Sequence, residues 1–181
     1  MSLTLIIGPM FSGKSSTLLS YERKFNLSKK NYVCIKAAID NRYSTDSKIA
    51  THDNKFSSGK SISISALSEL NYEELNMYDA FIIDEVQFID GIDEFVSYWI
   101  LLKKDIICAG LSGDYKMKPF KNISTLMPLA DNICVLKSYC YHCGKDASFT
   151  ERTVHDNNQV LVGSDDMYLP TCRVHHNFFL K

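Results

Sequence analysis

The stretch that decides the fold is LTLIIGPMFSGKS, residues 3–15, in which a short apolar run is followed at once by a glycine-rich segment. The second part fits the pattern G-x-x-x-x-G-K-[ST] of a phosphate-binding loop. In such a loop backbone N–H groups surround phosphate oxygens, the lysine reaches the β- and γ-phosphates, and the hydroxyl binds Mg²⁺. We therefore expect a nucleoside triphosphate with Mg²⁺ at the residues Gly8, Pro9, Met10, Phe11, Ser12, Gly13, Lys14 and Ser15.

Outward from this loop, the chain alternates between apolar runs typical of strands and segments with helical periodicity. Strands are predicted over residues 3–7, 32–36, 61–65, 80–85, 105–111 and 132–136, and helices over 16–27, 68–77 (capped by Ser68) and 91–104. A long polar segment without clear periodicity occupies residues 40–60. The alternation predicts an α/β fold with a mostly parallel sheet covered on both faces, and ligands at the carboxyl ends of its strands.

The composition of the chain limits the kinds of molecule that it can be expected to bind. The chain has 181 residues, of which 45% are hydrophobic and 23% charged, which suits one core with a small appendage. A net charge of −1 provides no basic surface for a nucleic acid backbone, so no nucleic acid partner is expected. No apolar stretch reaches membrane-spanning length, and the first residues lead directly into a strand, so we expect a cytoplasmic protein that is not bound to a membrane.

Two adjacent acids, Asp84 and Glu85, follow the apolar run AFII. A carboxylate at the end of a buried strand, facing the phosphate loop, can organise Mg²⁺ directly or through water, which is the role expected for Asp84. Glu85 adds a second carboxylate within reach of the γ-phosphate, where it could act as a general base for an attacking hydroxyl. From the residues alone, a structural acid that pairs with a lysine is an equally good interpretation of Glu85.

The late cysteines have the spacing of a metal site. Cys140 and Cys143 form one pair, and Cys172 and His175 form a second pair, with 28 residues between the two pairs. Three thiolates and one imidazole match tetrahedral structural zinc. A redox pair or thiols that bind no metal are the alternatives, and His142 or His176 could replace His175 as the fourth ligand. The remaining cysteines lie in predicted strands, and His52 and His155 are expected at the surface.

Taken together, several segments resemble the thymidine kinase family of the cytosolic, bacterial and poxvirus type, over nearly the whole chain. The resemblance rests on the phosphate loop, on Asp40-Asn41-Arg42-Tyr43, Asp84-Glu85-Val86-Gln87-Phe88, Gly110-Leu111-Ser112-Gly113-Asp114-Tyr115, Lys118-Pro119-Phe120, and the cysteine pairs with Tyr168. It implies a P-loop (RecA-like) α/β domain over residues 1–138, and a zinc-binding lasso subdomain over residues 139–181. It also implies transfer of the γ-phosphoryl group of ATP to the 5′-hydroxyl of thymidine.

The family's functional positions can be carried over residue by residue. The resemblance makes Glu85 the general base. It adds Asp40, Asn41, Arg42, Asp84, Val86 and Gln87 to the loop residues of the ATP and Mg²⁺ site. It assigns the thymine slot to Met10, Phe88, Leu111, Tyr115 and Phe120, and the lasso that reads the base through its main chain to Gln159, Val160, Leu161, Val162 and Gly163, with Tyr168 nearby.

The resemblance carries further expectations and some departures. It implies structural zinc, feedback inhibition by thymidine triphosphate, and a homotetramer or, in some members, a dimer. Val86 stands where alanine is common, His175 replaces a cysteine, and residues 164–166 follow Gly163 where a second glycine is common. Two other classes remain for comparison, a nucleotide-hydrolysing switch with a zinc-stabilised accessory domain and a zinc-knuckle nucleic-acid binder. The first lacks a guanine-reading Asn-Lys-x-Asp segment, and the second lacks basic charge.

Overall fold

The computed structural model describes residues 1–39, 48–51, 55–161, 163 and 166–177. The strands of this part are β1 (Ser2–Gly8), β2 (Tyr32–Ala37), β3 (Ser61–Ile64), β4 (Ala80–Asp84), β5 (Asp105–Leu111), β6 (Asn132–Val135), β7 (Ser138–Tyr139), β8 (Asp146–Ala147), β9 (Phe149–Arg152) and β10 (Tyr168–Thr171). The α-helices are α1 (Lys14–Leu27), α2 (Tyr72–Leu75), α3 (Ile92–Leu101) and α4 (Lys121–Leu126).

The first six strands form one parallel sheet in the order β3-β2-β4-β5-β1-β6. The register pairs Gly8 at the end of β1 with Leu111 at the end of β5, and Lys36 in β2 with Asp84 at the end of β4. The phosphate loop, the two acids and the segment after β5 therefore all leave the sheet at its carboxyl edge. This is the edge at which ligands bind in open α/β sheets.

Helices cover both faces of the sheet. They pack against the apolar side chains that the central strands carry on both sides. On one face, residues such as Leu5, Ile83 and Trp99 form the larger core with α3 and α4. On the other face, alternate residues such as Ile6 and Ile82 pack against α1. A strand that is buried on both faces has a nearly continuous run of apolar residues in the sequence, and this explains why the strands could be predicted. The predicted α/β sheet is confirmed.

The C-terminal part consists of two small antiparallel sheets, β7 with β8 and β9 with β10. Its two-residue strands have little sequence signal and were not predicted from the sequence. The predicted boundary between residues 138 and 139 falls inside β7, and the division into two domains stays a prediction. Within the described residues, no helix is long and apolar enough to cross a membrane.

The predicted helix over residues 68–77 is wrong in its extent and in its cap. A short 3₁₀ turn over residues 67–69 is followed by Leu70 in extended conformation, and α2 begins only at Tyr72. The side chain of Asn71 accepts hydrogen bonds from the N–H groups of Glu73 and Glu74, at 3.0 and 3.4 Å, so Asn71 and not Ser68 caps the helix. Helix α4 was also missed. The polar segment 40–60 is described only at residues 48–51 and 55–60.

Candidate active site

The phosphate loop turns from β1 into α1 through two residues with positive φ. Gly13 has a φ of 81° and Phe11 a φ of 64°. Glycine adopts such angles without steric cost, whereas phenylalanine does so only where its surroundings enforce it. The Nζ of Lys14 donates a hydrogen bond to the carbonyl of Pro9 at 2.7 Å, and the Oγ of Ser12 donates to the same carbonyl at 2.8 Å. The loop is thus a closed turn with its lysine folded over it.

The two acids lie beside this loop. The Oγ of Ser15 donates to Oδ2 of Asp84 at 3.1 Å, across the sheet edge from α1 to β4. The other oxygen of Asp84 accepts the N–H of Glu85 at 2.9 Å. Glu85 is buried and has a φ of 53°, a left-handed conformation that a glutamate adopts only when its surroundings hold it there. A hydroxyl and a carboxylate side by side offer oxygen ligands of the kind that Mg²⁺ takes, together with substrate phosphates and water.

Gln87 holds the Glu85 carboxylate in place. The Nε2 of Gln87 donates to Oε2 of Glu85, and the Oε1 of Gln87 accepts the N–H of Leu111 at 3.2 Å. Gly110 makes room for this bridge, since a Cβ at that position would lie 2.6 Å from the Gln87 Oε1. The side chain of Val86 is fully buried in the larger core. Gln87 therefore links the candidate base to the strand that lines the neighbouring pocket.

A pocket with mostly apolar walls opens next to the loop. It is lined by every described member of the predicted thymine slot and lasso, namely Met10, Phe88, Leu111, Tyr115, Phe120, Gln159, Val160, Leu161, Gly163 and Tyr168. The rings of Phe88 and Phe120 meet edge to face at 6.0 Å. A concave site with mostly apolar walls and a few polar groups is typical of a small-molecule site.

Met10 belongs to both the phosphate loop and the pocket wall. Its N–H donates to Oγ1 of Thr150 in β9 at 2.9 Å, in a buried position. The carbonyl of the next residue, Phe11, accepts the hydroxyl of Ser138 at 3.1 Å. The C-terminal part therefore contacts the phosphate loop directly, and the loop and the pocket share a wall.

Sequence reasoning missed five residues that line this pocket, which are Ile39, Gly113, Asp114, Thr150 and Arg152. Ile39, Thr150 and Arg152 lie outside the segments on which the family resemblance rested. Asp114 was inside such a segment, but its role there depends on contacts that are distant in sequence. Its Oδ1 accepts the N–H groups of Lys116 and Lys118, both at 2.8 Å, and its Oδ2 accepts Nε2 of Gln159 at 3.1 Å.

The four predicted metal ligands converge. One donor atom from each of Cys140, Cys143, Cys172 and His175 lies within 4.8 Å of the others. The Nδ1 of His175 is 3.3 Å from the Sγ of Cys172 and 3.7 Å from that of Cys140. Burial raises the pKa of Cys140, but hydrogen bonds from the N–H groups of Cys172, His142 and Cys143 outweigh it and lower this pKa to about 6. A thiolate ligand is therefore available at neutral pH.

The geometry favours His175 over the other two candidates for the fourth ligand. His176 is only 2% exposed, and its Nε2 lies 3.4 Å from the carbonyl of Thr150, on the side of β9. The ring of His142 meets the ring of Tyr141 edge to face and lies 5.5 Å from the ring of His175. Among the described residues, only the four that were predicted from their spacing form such a cluster.

Some predicted site residues lie outside the described part of the chain. They are Asp40, Asn41 and Arg42 of the ATP site and Val162 of the lasso. Residues 164 and 165, where the chain departs from the family pattern, lie outside it as well. Their roles stay predictions.

Comparison with known proteins shows the family of the chain. The family model described as thymidine kinase matches residues 1–176. The chain belongs to the thymidine kinase family. A thymidine kinase of Choristoneura fumiferana entomopoxvirus is 36% identical over 180 residues, which cover 98% of this chain and 97% of that protein. That of vaccinia virus (strain Ankara) is 37% identical over 172 residues, or 94% of each chain, and that of Pseudothermotoga lettingae is 36% identical over 97% and 94%.

Membership of the thymidine kinase family confirms the resemblance inferred from the motifs over nearly the whole chain. Kinases are phosphotransferases, so the chain belongs to a family of enzymes. The viral and the bacterial relatives have about the same sequence identity to this chain, 36 to 37%. The phosphate loop, the two acids and the apolar pocket thus stand together in a chain of this family.

Proposed function

We propose that the protein transfers the γ-phosphoryl group of ATP to the 5′-hydroxyl of thymidine, in the presence of Mg²⁺, to give thymidine monophosphate. The observation that carries this proposal is the shared position of Met10, which belongs to the phosphate loop and also lines the apolar pocket. A nucleoside in the pocket would present its hydroxyl to a phosphate held by the loop. A hydrolase needs no such second pocket.

The roles of the polar residues follow from their positions. Lys14 would leave the carbonyl of Pro9 and neutralise the β- and γ-phosphates. Ser15 and Asp84, already joined by a hydrogen bond, would bind Mg²⁺ directly or through water. Glu85 would accept the proton of the 5′-hydroxyl, with its carboxylate oriented by Gln87. Arg42 and its neighbours Asp40 and Asn41 would complete the ATP site.

Zinc would be structural in this protein. The donor set of Cys140, Cys143, Cys172 and His175 fits tetrahedral zinc, because three sulfur atoms and one imidazole nitrogen lie within 4.8 Å of one another. These ligands flank β8, β9 and β10, so the ion would join the two ends of the segment that covers the pocket. Pinning those ends reduces the entropy cost of ordering the segment between them.

The remaining expectations belong to the same proposal. The lasso, with Gln159, Val160, Leu161, Val162 and Gly163, would read the thymine base mainly through main-chain groups. Thymidine triphosphate would occupy both the pocket and the phosphate loop and so inhibit as an end product. The domains would be residues 1–138 and 139–181, and the assembly a homotetramer or a dimer in the cytoplasm.

The test is ATP-dependent phosphorylation of thymidine, deoxyuridine, deoxycytidine, deoxyadenosine and deoxyguanosine, with product and free phosphate both measured. Conversion of thymidine, without conversion of the purine nucleosides or deoxycytidine, is expected. Release of phosphate that does not depend on any nucleoside would show a nucleotide hydrolase instead. Addition of thymidine triphosphate to the same assay tests the feedback proposal, since an inhibitor that spans both sites must compete with ATP and with thymidine.

A further inference from the structure

One buried side chain of the pocket, Arg152 at the end of β9, has a set of contacts that no sequence motif indicated. It is 7% exposed. Its Nη1 donates to the carbonyls of Asp156 and Asn158, at 3.2 and 2.6 Å, and its Nη2 donates to the carbonyl of Gln159 at 3.0 Å. One guanidinium therefore gathers three carbonyl groups of the loop that precedes and enters the lasso.

The same guanidinium is fixed from its other side. Its Nε and Nη2 donate to the hydroxyl of Tyr168 at 3.1 and 2.9 Å, and that hydroxyl donates to the carbonyl of Leu161 at 2.6 Å. Arg152 and Tyr168 are register partners in the antiparallel pair β9–β10, which keeps them adjacent. The centre of the guanidinium also lies 3.9 Å from the centroid of the Tyr115 ring, in stacking contact with the segment after β5.

Charge does not explain these contacts. The carboxylate of Asp156 lies 3.6 Å from Nη1 and is partly exposed, whereas the neighbouring Glu151 is turned away, with its oxygens on Asn177. The guanidinium therefore bonds mainly to neutral oxygens. A planar group with five N–H donors in fixed directions can serve several carbonyls at once, which a lysine ammonium on a flexible stem cannot do in the same geometry.

We infer that Arg152 is the positioning residue of the nucleoside loop, and that it acts on substrate recognition through the carbonyls of residues 156–161. Fixing these carbonyls sets the orientation of the peptide planes, and hence the directions of the N–H groups with which the loop would read a base. The inference rests on the proposed function, because it takes the pocket to be the nucleoside site. Arg152 is not assigned a step in the chemistry.

Two further contacts tie the same loop to the α/β part, and they agree with this role. The hydroxyl of Tyr115 donates to the carbonyl of Asp156 at 2.9 Å, and the side chain of Gln159 donates to Asp114 at 3.1 Å. These bonds hold the loop against the segment after β5, but each one reaches a single point of it. Arg152 alone among these groups contacts three of its residues.

The experiment compares Arg152→Gln and Arg152→Lys with the wild-type protein, and uses Arg23→Lys, at an exposed position on α1, as the matched control. For Arg152→Gln we expect the KM for thymidine to rise about 10- to 100-fold, which is about 1.4 to 2.7 kcal/mol. The KM for ATP and the kcat at saturating thymidine should stay within about threefold, because the phosphate loop keeps its own contacts. Arg152→Lys should show a similar KM defect, and Arg23→Lys none.

A second measurement does not require catalysis. Hydrogen exchange of the backbone over residues 153–161, without ATP or nucleoside, should be faster in both Arg152 variants than in the wild type, with β1 and β5 unchanged. If the wild type does not phosphorylate thymidine, the proposed function fails, but hydrogen exchange still tests whether Arg152 orders the loop. If Arg152→Gln does not fold, Arg152→Lys and Tyr168→Phe carry the same test.

Three results would overturn the inference. The first is an unchanged KM for thymidine in the folded Arg152 variants. The second is a loss of kcat with no change in that KM, which would place Arg152 in the chemistry. The third is full rescue by lysine, which would show that positive charge, and not the fork of donors, is what the loop needs.

Discussion

Replacing Glu85 with glutamine is the sharpest perturbation of the proposed chemistry. The substitution keeps the size of the side chain, and the new amide oxygen can still accept the hydrogen bond from Nε2 of Gln87. It removes the ability to accept a proton. The contacts of Ser15 with Asp84 and of Lys14 with the loop carbonyl do not involve the Glu85 side chain, so the ATP site should keep its form.

The expected fall in kcat follows from the role that we propose for Glu85 as the general base. A positioned general base contributes roughly 10²- to 10⁴-fold to the rate, so kcat should fall by about that factor. This corresponds to about 2.7 to 5.5 kcal/mol in the activation free energy. The KM values for ATP and thymidine should change by less than about threefold, because the lost interaction belongs to the transition state.

The assay is steady-state phosphorylation of thymidine, with a direct measurement of ATP binding to the variant. Glu94→Gln, an exposed glutamate on α3, is the control and should behave as wild type. Melting temperature shows whether Glu85→Gln is folded. A folded Glu85→Gln protein that retains more than about a tenth of the wild-type kcat would refute the general-base role, since even the lower bound for such a base is a hundredfold.

Further predictions concern other parts of the molecule. Thr150→Val removes the acceptor of the buried Met10 N–H, so the KM for both substrates should rise in kinetic assays, whereas Thr150→Ser should remain near wild type. Glu22→Gln should lower the free energy of unfolding by about 1 to 2 kcal/mol in urea titrations, because a buried oxygen that accepts N–H groups from the loop before β3 loses its charge. Chelation of the zinc that we propose at the four-ligand cluster should expose the clustered thiols to a thiol reagent. It should leave Cys34 unreactive until the protein unfolds, since burial raises the pKa of Cys34 to about 12. Because zinc binds the thiolate form and protons compete for it, the affinity of the proposed site for zinc should fall as the pH is lowered, which competition with a zinc indicator at several pH values measures.

Most of the parallel sheet could be predicted from the sequence, because buried parallel strands are continuous apolar runs. The short elements outside this sheet could not be predicted. The helix expected over residues 68–77 was wrong, because Leu70 is extended and the helix begins only after its cap, Asn71. The apolar periodicity of this segment does not show where the side chain of an asparagine ends the extended backbone and starts the helix. Strands β7 and β8 have two residues each, and their pairing depends on the chain around them.

The sequence by itself determined the chemistry that is local along the chain. A phosphate loop is a run of eight residues, the acid pair follows one strand, and the metal ligands come in two closely spaced pairs, so each could be identified from types and spacing. Tertiary structure decided what depends on distant residues. His176 lies against β9 while His175 meets the three cysteines, and the shared wall of loop and pocket depends on Met10 meeting Thr150. The contacts on which the inference about Arg152 rests exist only because folding brings the loop carbonyls to its guanidinium. Hydrogen bonds of that kind depend on direction and distance in space, which residue order alone does not specify.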